Sequence, residues 1–124
     1  MRLLPLMLLV VCCYARAEWV PTGETETLIR FIDLDNVVES GQFRRVWTLS
    51  NYFEVDEEFG FHSIRAYSEF DCKEARSRVL QEEFWSKHWA TGAIMRNPFT
   101  YPRNWQFHAP GTIGHDGFKR VCLK

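Results

Sequence analysis

Ile64-Arg65-Ala66-Tyr67-Ser68-Glu69-Phe70-Asp71-Cys72-Lys73-Glu74-Ala75-Arg76-Ser77-Arg78-Val79-Leu80-Gln81-Glu82-Glu83-Phe84-Trp85 reads as a β-hairpin that turns at Asp71 to Glu74. Pairing Phe70 with Ala75 sets Ser68 opposite Ser77 and Ala66 opposite Val79 on one face. The other face then carries Glu69 opposite Arg76 and Tyr67 opposite Arg78, an ion pair and an aromatic–cation pair. Agreement of both faces on one register is what a specified strand pairing requires. The first face is small-sided, a shallow trough in which another element can lie. The period of two along a strand puts Cys72 on that face.

Upstream, Glu18-Trp19-Val20-Pro21 reads as a short opening strand that Pro21 confines to a sheet edge, with a turn over Thr22 to Thr25. Glu26 to Asp33 is rich in β-branched and aromatic residues and reads as a strand, followed by one helical turn or tight loop to Val38 and a close at Ser40-Gly41. Gln42 to Phe53 is the longest clean strand; Trp47 and Leu49 are expected to mark its buried side, opposite Val46, Thr48 and Ser50. The acidic stretch Glu54 to Gly60 lacks the spacing of a calcium loop and reads as solvated.

Downstream, Thr91 to Met95 predicts a further short strand. In Asn97 to Pro110, three prolines exclude a long regular element, while Phe99, Tyr101, Trp105 and Phe107 require the segment to pack on something; Trp105 is expected to be partly buried. Thr112 is the expected N-cap of a helix over 113 to 122, with Phe118, Val121 and Cys122 on one face. Gly114 and Gly117 each cost that helix roughly 1 kcal/mol, so it needs tertiary support. An antiparallel sheet of about six strands with a C-terminal helix packed on one face, an α+β architecture, assembles these parts economically.

Residues 1–17 read as a signal peptide rather than as fold: Arg2, an apolar run from Leu3 to Tyr14, then Ala15-Arg16-Ala17 as an A-x-A cleavage site. The run is about a dozen residues, short of the roughly 20 that a spanning helix needs. A lipoprotein signal ending at Cys12 or Cys13 is the alternative; Val11 or Cys12 would then stand where a small residue is expected. The remaining domain, 18–124, has 107 residues with 13 basic and 16 acidic side chains, a net charge of −3. That mild acidity argues against a nucleic-acid binder, and no later run is apolar enough to form a transmembrane segment. Nearly half the chain is apolar, enough for a core.

Cleavage leaves two cysteines, Cys72 and Cys122, in an oxidising compartment, where a disulfide is the default reading. Two free thiols or a metal pair are the alternatives, but no CxxC or histidine set accompanies either residue. The trough has room for a helix, the only helix candidate ends at Cys122, and Phe118 supplies the bulk the trough lacks; a Cys72–Cys122 bond would clamp the one on the other. His62, His88, His108 and His115 show no metal-ligand spacing, no motif frames a nucleophilic serine, and Glu82 and Glu83 fall on opposite strand faces. No catalytic residue, metal or cofactor is expected.

The aromatic residues either fill the second face of the sheet, the ordinary reading, or form a partner surface. The candidates for such a surface are Trp89, Phe99, Tyr101 and Trp105, with Arg65, Arg76 and Arg78 on the outward hairpin face, where Glu69 is expected to neutralise them.

Glu18-Trp19-Val20, the strand ending at Asp33, Val46-Trp47-Thr48-Leu49 with Asn51-Tyr52, Ser63, Glu69-Phe70-Asp71-Cys72 and Pro110-Gly111-Thr112 leading to Val121-Cys122 form an ordered set. Over essentially the whole mature chain it resembles the surface-adhesin protein E-like family, small exported bacterial proteins. The resemblance implies an antiparallel sheet with a C-terminal helix tied to it by a disulfide. It also implies a place in the cell envelope, periplasmic or at the outer cell surface. For the members that gave the name it implies attachment to host extracellular matrix or serum proteins, in some cases as a homodimer. Two features depart from the family pattern: the glycines of the last helix and the strongly aromatic loop from Asn97 to Phe107.

The expected function is therefore a non-catalytic exported binding module with a protein partner; a periplasmic accessory protein, or a small exported enzyme or inhibitor, are the alternatives. Processing after Ala17 predicts Glu18 as the mature N-terminus. Mass spectrometry of the exported protein checks this, and an acylated Cys12 or Cys13 would replace it with a lipid-anchored form.

Overall fold

The computed structural model describes Arg2 and residues 18–123; the rest of the expected signal peptide, with Cys12 and Cys13, lies outside the described residues. The chain forms β1 (Trp19–Glu24), β2 (Leu28–Asp33), a 3-10 turn (Leu34–Asn36), β3 (Val38–Ser40), β4 (Phe43–Tyr52), β5 (Ser63–Asp71), β6 (Arg76–Lys87), β7 (Thr91–Ile94), β8 (Gln106–Phe107) and α1 (Ile113–Cys122). All pairings are antiparallel in one sheet of order β1-β2-β4-β5-β6-β7, with β3 also on β4 and β8 also on β6. The sheet curls into a half-barrel, with α1 in its concave side. β1 runs on through Glu24, so the first turn comes at Thr25, later than expected.

The central hairpin closes on Asp71 opposite Arg76, a slip of two from the expected register, so Phe70 faces Ser77, Ser68 faces Val79 and Glu69 faces Arg78. Asp71 is the cause: its Oδ1 accepts from Glu74 N at 3.1 Å and from Gln42 Nε2 at 3.0 Å, and its Oδ2 pairs with Arg76 Nε at 3.1 Å. A two-residue slip leaves every side chain on its face, so the small-sided trough survives. Further along, the register shifts by a bulge at Leu80, after which Tyr67 faces Gln81, Ala66 faces Glu82 and Arg65 faces Glu83. The bulge changes which side chains point inward. Without it Glu83 would enter the trough; with it Glu82 enters and Glu83 stays on the convex face.

On β4 the helix covers the face opposite to the expected one. Val46, Thr48 and Ser50 point into the trough and are buried, while Trp47 on the convex face is only partly covered. Leu49, also on the convex face, is nevertheless fully buried between its cross-strand neighbours Phe31 and Arg65. Side-chain bulk marked one strand face as apolar; which face the helix would occupy depended on where Cys72 points.

The main core lies where α1 meets the sheet: Phe118 and Val121 pack on Ile32, Val46 and Phe70, with Leu34, Val37 and Cys122 at its margin. Thr112 Oγ1 accepts from His115 N at 3.3 Å and caps the helix as expected. The Cys72–Cys122 disulfide forms, with Cα atoms 5.5 Å apart. Gly114 in the helix and Gly23 in β1 allow close approach, whereas a Cβ on Gly117 would make only ordinary contacts. A Cβ on Gly114 would overlap the His108 ring, and one on Gly23 in β1 would lie 2.7 Å from Ile113 Cγ1. The helix thus sits lower on the sheet than a helix with ordinary side chains at its start could.

The bond closes a loop with a sequence separation of 50, for which chain entropy gives about 4 kcal/mol as an upper figure. Cys122→Ser is expected to loosen the last dozen residues first, with new proteolytic cleavage between Gly111 and Gly117 and an unchanged sheet signal in circular dichroism. Global unfolding at the same temperature at which the helix becomes cleavable would show that the two are not separable.

Candidate functional site

The convex face of β4, β5 and β6 carries a ladder of arginines, aromatics and acids. The Cζ atoms of Arg76 and Arg78 each lie 4.4 Å from the Trp105 ring centroid, and Phe43 flanks that ring at 6.2 Å. Arg78 Nη2 reaches Glu69 Oε1 at 2.9 Å, and Arg45 Nε takes the other oxygen at 2.9 Å. Arg65 lies 4.4 Å over Trp47 and pairs with Glu83 at 2.6 Å, and Trp47 meets Tyr67 with centroids 5.0 Å apart. Guanidinium groups stacked on rings and held by carboxylates are ordered before any partner arrives, which lowers the entropy cost of binding.

At the far end of this face, the turn after β6 folds back across the sheet. Trp89 N donates to Asn51 Oδ1 at 2.8 Å, Ala90 N donates to Ser63 Oγ at 3.0 Å, and His88 Nε2 shares a hydrogen bond of 2.6 Å with Tyr52 O. Trp89 and Ala90 both adopt left-handed backbone (φ 62 and 52), so three long-range contacts hold a conformation that ordinary residues disfavour. The Trp89 side chain rests on Phe31, centroids 4.7 Å apart, and remains 50% exposed.

The segment 97–108 crosses the outer edge of β6 and joins the two faces. On the concave side, Tyr101 OH donates to Glu82 Oε1 at 2.9 Å and Arg103 Nη1 pairs with the same oxygen at 3.3 Å. Asn97 Nδ2 donates to Glu82 O at 2.9 Å, and Phe99 lies against Phe84 at 6.0 Å. Burial, with the Glu82 carboxylate adding to it, pushes the Tyr101 phenol up to about 12. Beneath this segment the trough encloses a cavity of about 400 Å³. At its helix end, His108 Nε2 and Ser77 Oγ share a hydrogen bond of 2.5 Å; burial, then the nearby Arg30 charge, lower the imidazole pKa, so it is neutral at pH 7.

The seven residues singled out from sequence therefore divide between two faces. Trp105, Arg76 and Arg78 form one cluster; Arg65 lies on the same convex face, stacked on Trp47; Trp89 stands at its end. Phe99 lines the cavity, and Tyr101 stands behind that lining, bonded to Glu82. The arginines are not neutralised by Glu69 together: Arg78 uses Glu69, Arg76 uses Asp71 and Arg65 uses Glu83. Trp105 is partly buried, as expected, but under arginines rather than in the core. Sequence reading passed over Arg30 and weighed His108 only as a metal ligand, yet both line the cavity. The signal for Arg30 was its place as the one charge inside Leu28-Ile29-Arg30-Phe31-Ile32.

The model of the family described as Surface-adhesin protein E matches residues 19–123. The chain belongs to that family. Solved structures of protein E share the fold. Haemophilus influenzae protein E in crystal form II aligns with a TM-score of 0.59 at 16% identity, covering 82% of this chain and 91% of that one. Protein E from non-typeable Haemophilus influenzae aligns with a TM-score of 0.60 at 14% identity, covering 89% of this chain and 78% of that one. Searched against curated proteins, the chain finds no match. At such identities the family likeness describes the sheet, helix and chain course, while the ladder and the cavity are read from this chain's own residues.

Asp71 anchors the ladder and gives it a pH dependence. Burial alone would raise its carboxyl pKa, but the hydrogen bonds from Glu74, Gln42 and Arg76 outweigh burial and hold it below the ordinary value. A folded pKa below the unfolded value of about 3.9 stabilises above that pH and is lost as pH falls through the folded value. Asp71→Asn is expected to lower the melting temperature at pH 7, with the gap to the unmodified protein closing below about pH 4. Thermal melts of both across that range test it; a gap that persists into strong acid would mean that the carboxylate charge is not what matters.

Proposed function

We propose that this chain is an exported, non-catalytic binding module of the cell envelope, adhesin-like, that attaches to a protein partner through its convex face. Membership of a family named for a surface adhesin supports the class. The observation that carries the surface is the arginine–aromatic ladder from Trp105 to Arg65, with half-exposed Trp89 beyond it. Protein interfaces are enriched in arginine and aromatic anchors of this kind. The further reading is that the partner is a host extracellular matrix or serum protein, with a second copy of this chain as the alternative. The two mature cysteines, bonded to each other, supply no nucleophile, in keeping with a binding role.

The test has two parts. Protease applied to intact cells should remove the protein, and purified protein should attach to immobilised matrix or serum proteins. Trp89→Ala and Arg65→Ala are each expected to weaken attachment by about tenfold, the effect of losing an interface anchor, with an unchanged far-ultraviolet spectrum. Protection on intact cells, or attachment indifferent to both substitutions, would overturn the reading; concentration-dependent self-association lost in the same variants would assign the face to a homodimer instead.

A further inference from the structure

Arg30 stands on the concave face of β2 at the floor of the cavity, opposite Ser50 of β4. Its Nε donates to Ser50 Oγ at 3.1 Å, and among the described residues its guanidinium makes no other side-chain hydrogen bond and no ion pair. The two acids that line the same cavity are engaged elsewhere. Glu82 is held by Tyr101 and Arg103, and Asp56 Oδ1 accepts the backbone N–H groups of Glu58 and Phe59 at 3.0 and 2.7 Å. Desolvation lowers the arginine pKa, yet a guanidinium stays charged in any folded protein. Attraction from Tyr52 and the Glu82 carboxylate opposes that lowering. Among the described residues, however, no carboxylate lies within ion-pair distance of the guanidinium, and a partly desolvated charge so placed costs stability. The architecture therefore keeps a guanidinium with free N–H groups where an apolar side chain would have served packing better.

The walls around Arg30 are apolar. Phe61 and Phe84 stack at 5.0 Å, Phe99 closes the mouth, and Ile64 and Ile113 complete the lining. The space exists because the strands place Ala66, Ser68 and Ser77 at its centre and the helix covers only one end. A volume of about 400 Å³ falls within the range of small-molecule sites. The charges lining it, Arg30 and Arg103 against Asp56 and Glu82 with His108 neutral, balance to zero. One added carboxylate can use the free N–H groups of Arg30, whereas a phosphate dianion would bring twice the charge against the Asp56 and Glu82 carboxylates of the same lining.

We infer that this cavity binds a small monocarboxylate with an apolar body, its carboxylate on the Arg30 guanidinium and its body against Phe61, Ile64 and Phe84. The planar fork of arginine matches a carboxylate with two parallel hydrogen bonds. This inference goes beyond attachment to a protein partner and stands independently of it, since the site opens on the other face of the sheet.

Titration calorimetry and backbone amide shifts with sodium decanoate below its micelle concentration test it. Saturable one-to-one binding is expected, with shifts at Arg30, Ser50, Ala66 and Phe84. Arg30→Gln should weaken it by about tenfold or more, as loss of a charge-assisted pair does. Ala66→Leu should also weaken it by filling the trough while leaving the charge in place, which keeps the proposal testable if the Arg30 variant does not fold. Decanamide and decyl phosphate should both bind more weakly than decanoate. The inference is overturned if decanoate does not saturate up to millimolar concentration, if both variants bind it unchanged, if decanamide binds as tightly, or if decyl phosphate binds more tightly.

Discussion

At the tip of the central hairpin, two adjacent residues do different jobs on opposite faces. Asp71 points to the convex side and gathers Glu74, Gln42 and Arg76, fixing the turn and so the register of β5 on β6. Cys72 points to the concave side and bonds the end of α1. Through that covalent tie, a ten-residue helix with two glycines, too short to be stable alone, is held on the sheet. Its position decides which side of the half-barrel becomes the interior. Phe118 and Val121 then bury Ile32, Val46 and Phe70 at one end and leave the other end of the trough open.

The open end owes its character to a local irregularity. The extra residue at Leu80 turns Glu82 inward, and the segment 97–108 follows it: Tyr101 and Arg103 close on the Glu82 carboxylate and Asn97 on its backbone oxygen. The same segment then passes the sheet edge and delivers Trp105 to the outer face between Arg76 and Arg78. One strap therefore forms part of the cavity mouth and part of the outer ladder. Its prolines keep it from becoming a strand that would seal the edge into a flat sheet. Hydrogen bonds from Met95 N to Phe84 O and from Arg103 N to Val79 O nevertheless satisfy the exposed backbone of β6 and remove an aggregation-prone edge.

Of the two glycines that set this chain apart from the family pattern, Gly114 has a steric explanation. Gly114 gives room to the His108 ring, whose other contact is Ser77 in the trough. His108 thereby connects the helix start to the sheet wall. A bulkier residue at position 114 would displace the ring and shift the helix away from β1, where Gly23 and Ile113 already meet closely.

Much was legible in the chain itself. Alternation identified most of the strands, though neither β3 nor β8, Thr112 identified the helix start, and the two cysteines left after the expected leader pointed to the bridge. These signals are local, or depend on elimination, and they do not require knowing how the sheet bends. The facial sorting of the hairpin was legible too, since a slip of two residues preserves it. What the sequence could not decide was everything that depends on curvature and on single-residue irregularities. The bulge at Leu80 is one such irregularity, while the burial of Val46 in place of Trp47 and the division of seven candidate residues between two faces follow from which side the sheet curls toward. Arg30 looked like one polar residue in an apolar strand. Only the tertiary structure leaves it in a cavity whose acids are already paired, because the partners that claim Glu82 come from a segment some twenty residues further along the chain.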